Sequence, residues 1–216
     1  MKAIVVTFPG SNCDKDVGSV LKEFFHADVT YLWHKEQFSG TPDLVVLPGG
    51  FSYGDYLRTG AMARFSKAMN SVIEFANKGG KVLGICNGFQ ILTESGLLPG
   101  ALLKNRNLKF ICRDAELVPV SKFTKNISQT KPSITVPIAH GEGAYFAEPK
   151  VLDQLESEDR ILFRYKQNPN GSLKDIAGIS SANGNVMGLM PHPERAMNAF
   201  TGNMDGRFVF ESILGR

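Results

Sequence analysis

One short segment of this chain has the residue types and spacing of a nucleophile: Val82-Leu83-Gly84-Ile85-Cys86-Asn87-Gly88-Phe89-Gln90-Ile91-Leu92. An apolar run of strand length enters Gly-x-Cys-x-Gly and leaves as a helical pattern. That is the layout of a nucleophile elbow with Cys in place of Ser. On such a turn the side chain projects above the sheet edge, and Gly84 and Gly88 omit the Cβ atoms that would collide where strand and helix meet. The thiol falls at a helix N-terminus, where the dipole favours thiolate. The Asn87 amide follows where an oxyanion would develop. A lone Cys is most often a core residue, but the two glycines and the strand–helix context favour catalysis for Cys86. Cys13, in the turn after Gly10-Ser11-Asn12, and Cys112, inside a strand pattern, are read as structural.

Thiolate acyl transfer needs a group that takes a proton and returns it to the leaving amine, usually a His held by a carboxylate or amide. His26 follows a helix face and His34 a strand, and both read as helix-end or surface residues. His140 and His192 fall in Gly-, Pro- and Glu-rich turns, where functional loops collect. His192 lies in Met190-Pro191-His192-Pro193-Glu194-Arg195. In an extended segment, alternation puts positions 192 and 194 on one side. Glu194 would then hold one imidazole nitrogen while the other faces Cys86. His140 is the rival base, ranked second because Glu142 lacks the bracing prolines. Pro48-Gly49-Gly50-Phe51 follows another apolar strand, and its turn aims backbone N–H groups into the site to complete an oxyanion hole with Asn87. Without Gly-Lys-Ser/Thr, or G-x-G-x-x-G with a downstream acid, a nucleotide loop is weakly supported. Gln90, one helical turn past Cys86, is placed to reach a substrate amide. Asp55, Tyr56 and Arg58 combine charge and aromatic character and read as partner-facing.

The elements that must position these residues follow from short apolar runs. Ala3 to Phe8, Val29 to Trp33, Leu44 to Leu47 and Val82 to Ile85 read as buried strands. Asp14 to Phe25 and about Ala61 to Asn77 read as helices, the first with Asp14 and Asp16 in its first turn. This β-α-β order predicts a parallel sheet with helices on both sides. Farther on, Phe110 to Val120, Ile134 to Ile138, Ile161 to Tyr165, Ile176 to Ser180 and Val186 to Met190 read as strands. They would extend the sheet or form an antiparallel patch beside it. Little helix is expected among them until one around Asp205 to Leu214. Lys122 to Pro132 and Gln167 to Lys174 read as mobile polar loops.

Composition narrows the field. The 216 residues carry 24 Lys+Arg and 21 Asp+Glu, a net charge of +3. That is too small to argue for nucleic acid or an anionic membrane. No apolar run approaches the roughly 18 residues of a membrane helix. Met1 to Gly10 suits a first strand better than a signal peptide. Three widely spaced cysteines suggest a reducing, cytoplasmic setting, and none has zinc spacing. One α/β domain over residues 1–216 is the expectation.

Taken together, the motifs resemble the class I, triad-type glutamine amidotransferases. The resemblance spans essentially the whole chain. It rests on Phe8 to Asp14, Leu47 to Gly60, Gly84 to Gln90, His140-Gly141-Glu142-Gly143 and Met190 to Arg195. It implies a flavodoxin-like α/β domain with a mostly parallel central sheet and extra strands in the second half. It implies Cys86 as nucleophile, His192 as base and acid, and Glu194 as orienter. Gly49, Gly50, Phe51, Asn87, Gln90, His140 and Gly141 would lie at the oxyanion or bound glutamine. L-glutamine would be hydrolysed to glutamate and ammonia, and the ammonia passed to a large synthetase subunit accompanied by a small accessory subunit. ATP and Mg would belong to the synthetase, with no cofactor or metal in this chain. Rival readings are a stand-alone cysteine hydrolase, an amidotransferase serving another synthetase and a catalytically silent subunit.

Overall fold

In a computed structural model, which describes residues 1–198 and 203–215, the elements run in this order. First come β1 (Lys2–Thr7), α1 (Asp14–Phe25), β2 (Asp28–Trp33), β3 (Leu44–Leu47), α2 (Lys67–Asn77), β4 (Val82–Ile85) and α3 (Asn87–Glu94). Then follow β5 (Ala101–Lys104), β6 (Ile111–Pro119), α4 (Lys125–Ser128), β7 (Ile134–His140), β8 (Glu142–Phe146) and α5 (Pro149–Ser157). Last are β9 (Ile161–Tyr165), β10 (Ile176–Ser180), β11 (Val186–Leu189) and α6 (Gly206–Leu214). None of the described helices is long and apolar enough to cross a membrane.

Nine strands form one sheet in the order β2-β1-β3-β4-β11-β10-β9-β6-β7. The first five are parallel, and every later pairing is antiparallel. The second-half strands therefore extend the sheet, while β5 and β8 pair separately. Strands β3, β4 and β11 are buried at every position, as strands covered on both faces must be. The register aligns Leu47 with Gly84, and Ile85 with Leu189. The chain thus leaves β3, β4 and β11 at one sheet edge, carrying the Gly49 turn, Cys86 and His192. That carboxyl-end edge is where open α/β sheets bind ligands.

Local chemistry sets the element ends. The α1 helix buries Val17, Val20, Leu21 and Phe25 and stops at His26 in the left-handed conformation. The second helix begins at Lys67 rather than Ala61, because the Ser66 side chain accepts the Met69 amide as a cap. Four further expectations need correction. Helix α5 stands where little helix was expected. Pro149 opens it and Leu152 and Leu155 are buried, but this apolar stripe is too narrow to stand out in a polar sequence. Segment 122–132 holds a capped turn and α4, with Ile127 buried, rather than an open loop. His34 is buried against Tyr53, and Cys112 is exposed on β6.

Candidate active site

The turn at Cys86 has the strained backbone that an elbow requires. Its φ and ψ are 50° and −105°, outside the regions open to ordinary L-residues. The Cys86 amide donates to the Leu189 carbonyl at 2.8 Å, and its carbonyl accepts the Gln90 amide at 3.1 Å. The neighbouring strand β11 and the helix α3 therefore hold the distortion. Gly88 is required by contact: a Cβ there would lie 1.9 Å from the Leu47 carbonyl oxygen. Cys86 Sγ lies 3.7 Å from the Ala139 carbonyl.

His192 follows β11 and is fixed by donation of its amide to the Pro137 carbonyl at 2.8 Å. Residues Pro193–Arg195 form a short 3-10 turn, not an extended segment. That turn still brings the two side chains together: His192 Nδ1 donates to Glu194 Oε1 at 2.7 Å. Nε2, fully buried, has no hydrogen-bond partner and is the nitrogen left for chemistry. Burial opposes a charged ring here. Even so, the Glu194 carboxylate, then the Cys86 and Cys13 sulfurs, raise the His192 pKa well above its ordinary value. His140 behaves oppositely. Burial, and then the nearby His192 charge, lower its pKa to about 4, against a partly offsetting backbone hydrogen bond. Its Nδ1 is tied to Asn105 Oδ1 at 3.1 Å. Two histidines in one site thus differ sharply in charge state near neutral pH.

Cys13 is closer to this chemistry than the sequence suggested. Its sulfur is 3.9 Å from His192 Nδ1 and accepts a hydrogen bond from Arg195 Nη2 at 3.2 Å. Cys13, His192 and Glu194 bring donor atoms within 4.8 Å of one another, a grouping that metal-spacing rules do not reveal. The Arg195 guanidinium against the sulfur opposes a cation there. Cys13 approaches the histidine on the side that Glu194 occupies, and its relative exposure is 1%. Only the sheet topology, which ends β1 and β11 at the same edge, reveals this contact.

The glycine turn is more selective than expected. The Phe51 amide donates to Gly10 O at 2.9 Å and is therefore not free for an oxyanion. The amides of Gly49, Gly50 and Asn87, the first residue of α3, remain the candidates. A Cβ on Gly49 would lie 2.7 Å from His192 Cε1 and 3.1 Å from Cys13 Sγ. Gln90 is buried, accepts from Asn87 Nδ2 at 3.0 Å, and donates to the Glu142 carbonyl at 2.5 Å. It thereby joins the nucleophile helix to the His140–Gly143 turn. Asn105, absent from the sequence reading, secures that turn through the His140 carbonyl and the Gly143 amide. A buried Asn outside any motif gave no signal.

A cavity of about 250 Å³ is lined by Gly50, Cys86, Gln90, His140 and Gly141. Asp55, read from sequence as partner-facing, also lines it, as do Phe51 and Glu142. Tyr56 is 76% exposed. Arg58 is largely exposed but clamps Glu94 at the end of α3 through two bonds of 2.6 and 2.7 Å.

A cysteine on a strand-to-helix elbow, beside a carboxylate-held histidine at the carboxyl edge of the sheet, defines an acyl-transfer site of the amidotransferase kind. Residues 1–208 match the family of CobB/CobQ-like glutamine amidotransferase domains, and the chain belongs to that family. It is 56% identical over 219 residues to phosphoribosylformylglycinamidine synthase subunit PurQ from two strains of Leptospira interrogans, with both chains covered completely. It also matches a chain in the structure of PurLQS from Thermotoga maritima, with a TM-score of 0.88 and 42% identity, covering 99% of this chain and 97% of that one. A glutamine amidotransferase from Thermotoga maritima shares the fold at a TM-score of 0.61 and 19% identity, covering 99% of this chain and 90% of the other.

Proposed function

We propose that this chain is the glutaminase subunit of a phosphoribosylformylglycinamidine synthase. The observation that carries the reading is the convergence on one site of Cys86, at a strained elbow, and His192, whose Nδ1 is held by Glu194. The full-length likeness to PurQ supplies the particular synthase. Cys86, as thiolate, attacks the side-chain carbonyl of L-glutamine. The amides of the Gly49-Gly50 turn and of Asn87 receive the oxyanion. His192 enters as imidazolium and gives its Nε2 proton to the departing ammonia. A γ-glutamyl thioester remains. His192, now neutral, takes a proton from water, which attacks the thioester. Glutamate leaves, and the Cys86 thiolate and the His192 imidazolium are restored. Glu194 holds the ring tautomer and stabilises its charged form.

Ammonia then passes to a large synthetase subunit, with a small accessory subunit completing the complex. There ATP and Mg support conversion of formylglycinamide ribonucleotide to the amidine. The chain acts in the cytoplasm as one domain. Tyr56 and the exposed face around Arg58 dock the synthetase. The test is reconstitution with both partners. Cys86→Ala should abolish glutamine-dependent product and spare product formed from added ammonia. Retention of glutamine hydrolysis by Cys86→Ala would overturn the mechanism.

A further inference from the structure

The segment leading into α1 reaches the Glu194 side of the His192 ring. Asn12 and Cys13 donate their backbone amides to the Gly49 carbonyl, at 3.4 and 3.2 Å, so both are fixed to the glycine turn. The Cys13 thiol donates to Asn12 Oδ1 at 3.0 Å, and its sulfur accepts from Arg195 Nη2 at 3.2 Å. The same sulfur lies 3.9 Å from His192 Nδ1, the nitrogen that Glu194 holds. Arg195 follows Glu194 directly, and its Nε pairs with Asp16 of α1 at 3.8 Å. The turn that carries the base and its orienter is therefore tied to α1 at two points. A buried thiol with both a donor and an acceptor partner does more than fill space.

The carboxylate supplies a second observation. Glu194 Oε1 takes the ring, but Oε2 is buried without a hydrogen-bond partner. A buried carboxylate in that state needs a cation near it beyond the one it holds. Arg195 is that cation: burial opposes its charge, but the Cys13 sulfur, Glu194 and Asp16 outweigh burial. We propose that Cys13 and Arg195 act as a pair of positioning residues, the sulfur seating the His192 ring against Glu194 and the guanidinium tempering the hold of that carboxylate on the imidazolium. This rests on the glutaminase reading above and names what positions its base. A ring held too firmly in its charged form would give its Nε2 proton to departing ammonia slowly. The titratable groups facing His192 are Glu194 and Arg195 from its own turn, Cys13 before α1, Cys86 at the elbow and His140 at the end of β7. Of these, Arg195 alone is a permanent cation.

The experiment measures ammonia release from glutamine across a range of pH in the reconstituted complex, for wild type, Cys13→Ala, Cys13→Ser, Arg195→Gln and Arg195→Lys. Cys13→Ala should lower kcat about 10- to 100-fold through a misaligned base, with KM changed less than about 3-fold. Cys13→Ser, which keeps a donor and an acceptor, should recover most of that loss. Arg195→Gln should move the alkaline limb of kcat/KM, which belongs to the Cys86–His192 pair, up by about 1 pH unit. Arg195→Lys keeps the charge and should leave that limb in place. Thermal melts check folding, and the partly exposed Arg195 gives variants independent of the buried thiol. Wild-type kcat in Cys13→Ala, equal kcat in Cys13→Ala and Cys13→Ser, or an unmoved limb in Arg195→Gln would overturn the proposal while leaving the glutaminase reading intact. A wild-type complex that releases no ammonia from glutamine would overturn both.

Discussion

Replacing Cys86 with Gly should leave the protein more stable than replacing it with Ala, a reversal of the usual order. At an unstrained buried position, Gly is the worse choice. It adds unfolded-state entropy worth about 0.4–1 kcal/mol and loses a methyl worth about 0.8 kcal/mol. At Cys86, φ is 50° and ψ is −105°. Holding a Cβ in such a sparsely populated region costs about 1–3 kcal/mol. Both variants lack the sulfur, so its packing cancels in the comparison. Strain relief near the middle of its range outweighs the two penalties, leaving Gly ahead by about 0.5 kcal/mol. The same change at Ala68, buried within α2, should lose stability in the ordinary way. Urea unfolding midpoints read both comparisons. Thermal melting gives a second reading, at about 2–4 °C per kcal/mol for a chain of this size. If Cys86→Gly is less stable than Cys86→Ala by as much as Gly is at Ala68, the elbow stores no strain and the reasoning fails.

Further expectations concern the ring and the turn beside it. Gly49→Ala would drive a Cβ to 2.7 Å from His192 Cε1. It should lower kcat for glutamine about 100-fold by displacing the base, with a smaller effect on melting temperature; unchanged kcat would contradict the packing argument. His140 gives a pH prediction. Its folded pKa of about 4 lies below the ordinary 6.5, so the unfolded chain binds more protons between those values. Stability should fall as pH drops from 6.5 to 4, by about 3 kcal/mol from this group. The raised pKa of His192 acts in the opposite sense, stabilising at low pH. Urea midpoints of wild type and His140→Gln, compared at pH 7 and pH 4.5, separate the two, and parallel pH dependences would refute the His140 assignment.

Much of the site was legible because its chemistry is local in sequence. The Gly84–Gly88 elbow needs a strand, a tight turn and a helix in immediate succession, and all three are written in consecutive residues. His192 and Glu194 were paired correctly for a partly wrong reason, since a 3-10 turn rather than extended alternation brings them together. What stayed hidden depends on the sheet. Cys13 meets His192 across 179 residues only because β1 and β11 end at the same edge. Asp55 has the look of a surface loop residue until the turn folds it over the cavity. The Phe51 amide looks free in the sequence, but the fold brings the Gly10 carbonyl up to accept it. In the fold, four strongly apolar strands were plain, whereas α5 buries too few side chains to leave a clear period.

Two thiols touch the environment of His192, and the proposed mechanism puts the substrate on Cys86 and not on Cys13. Its most direct test is treatment of the complex with a glutamine analogue bearing a diazoketone in place of the carboxamide, followed by peptide mapping of the adduct. A single modification on Cys86, blocked by excess glutamine, is expected. An adduct on Cys13 with Cys86 unmodified would contradict it.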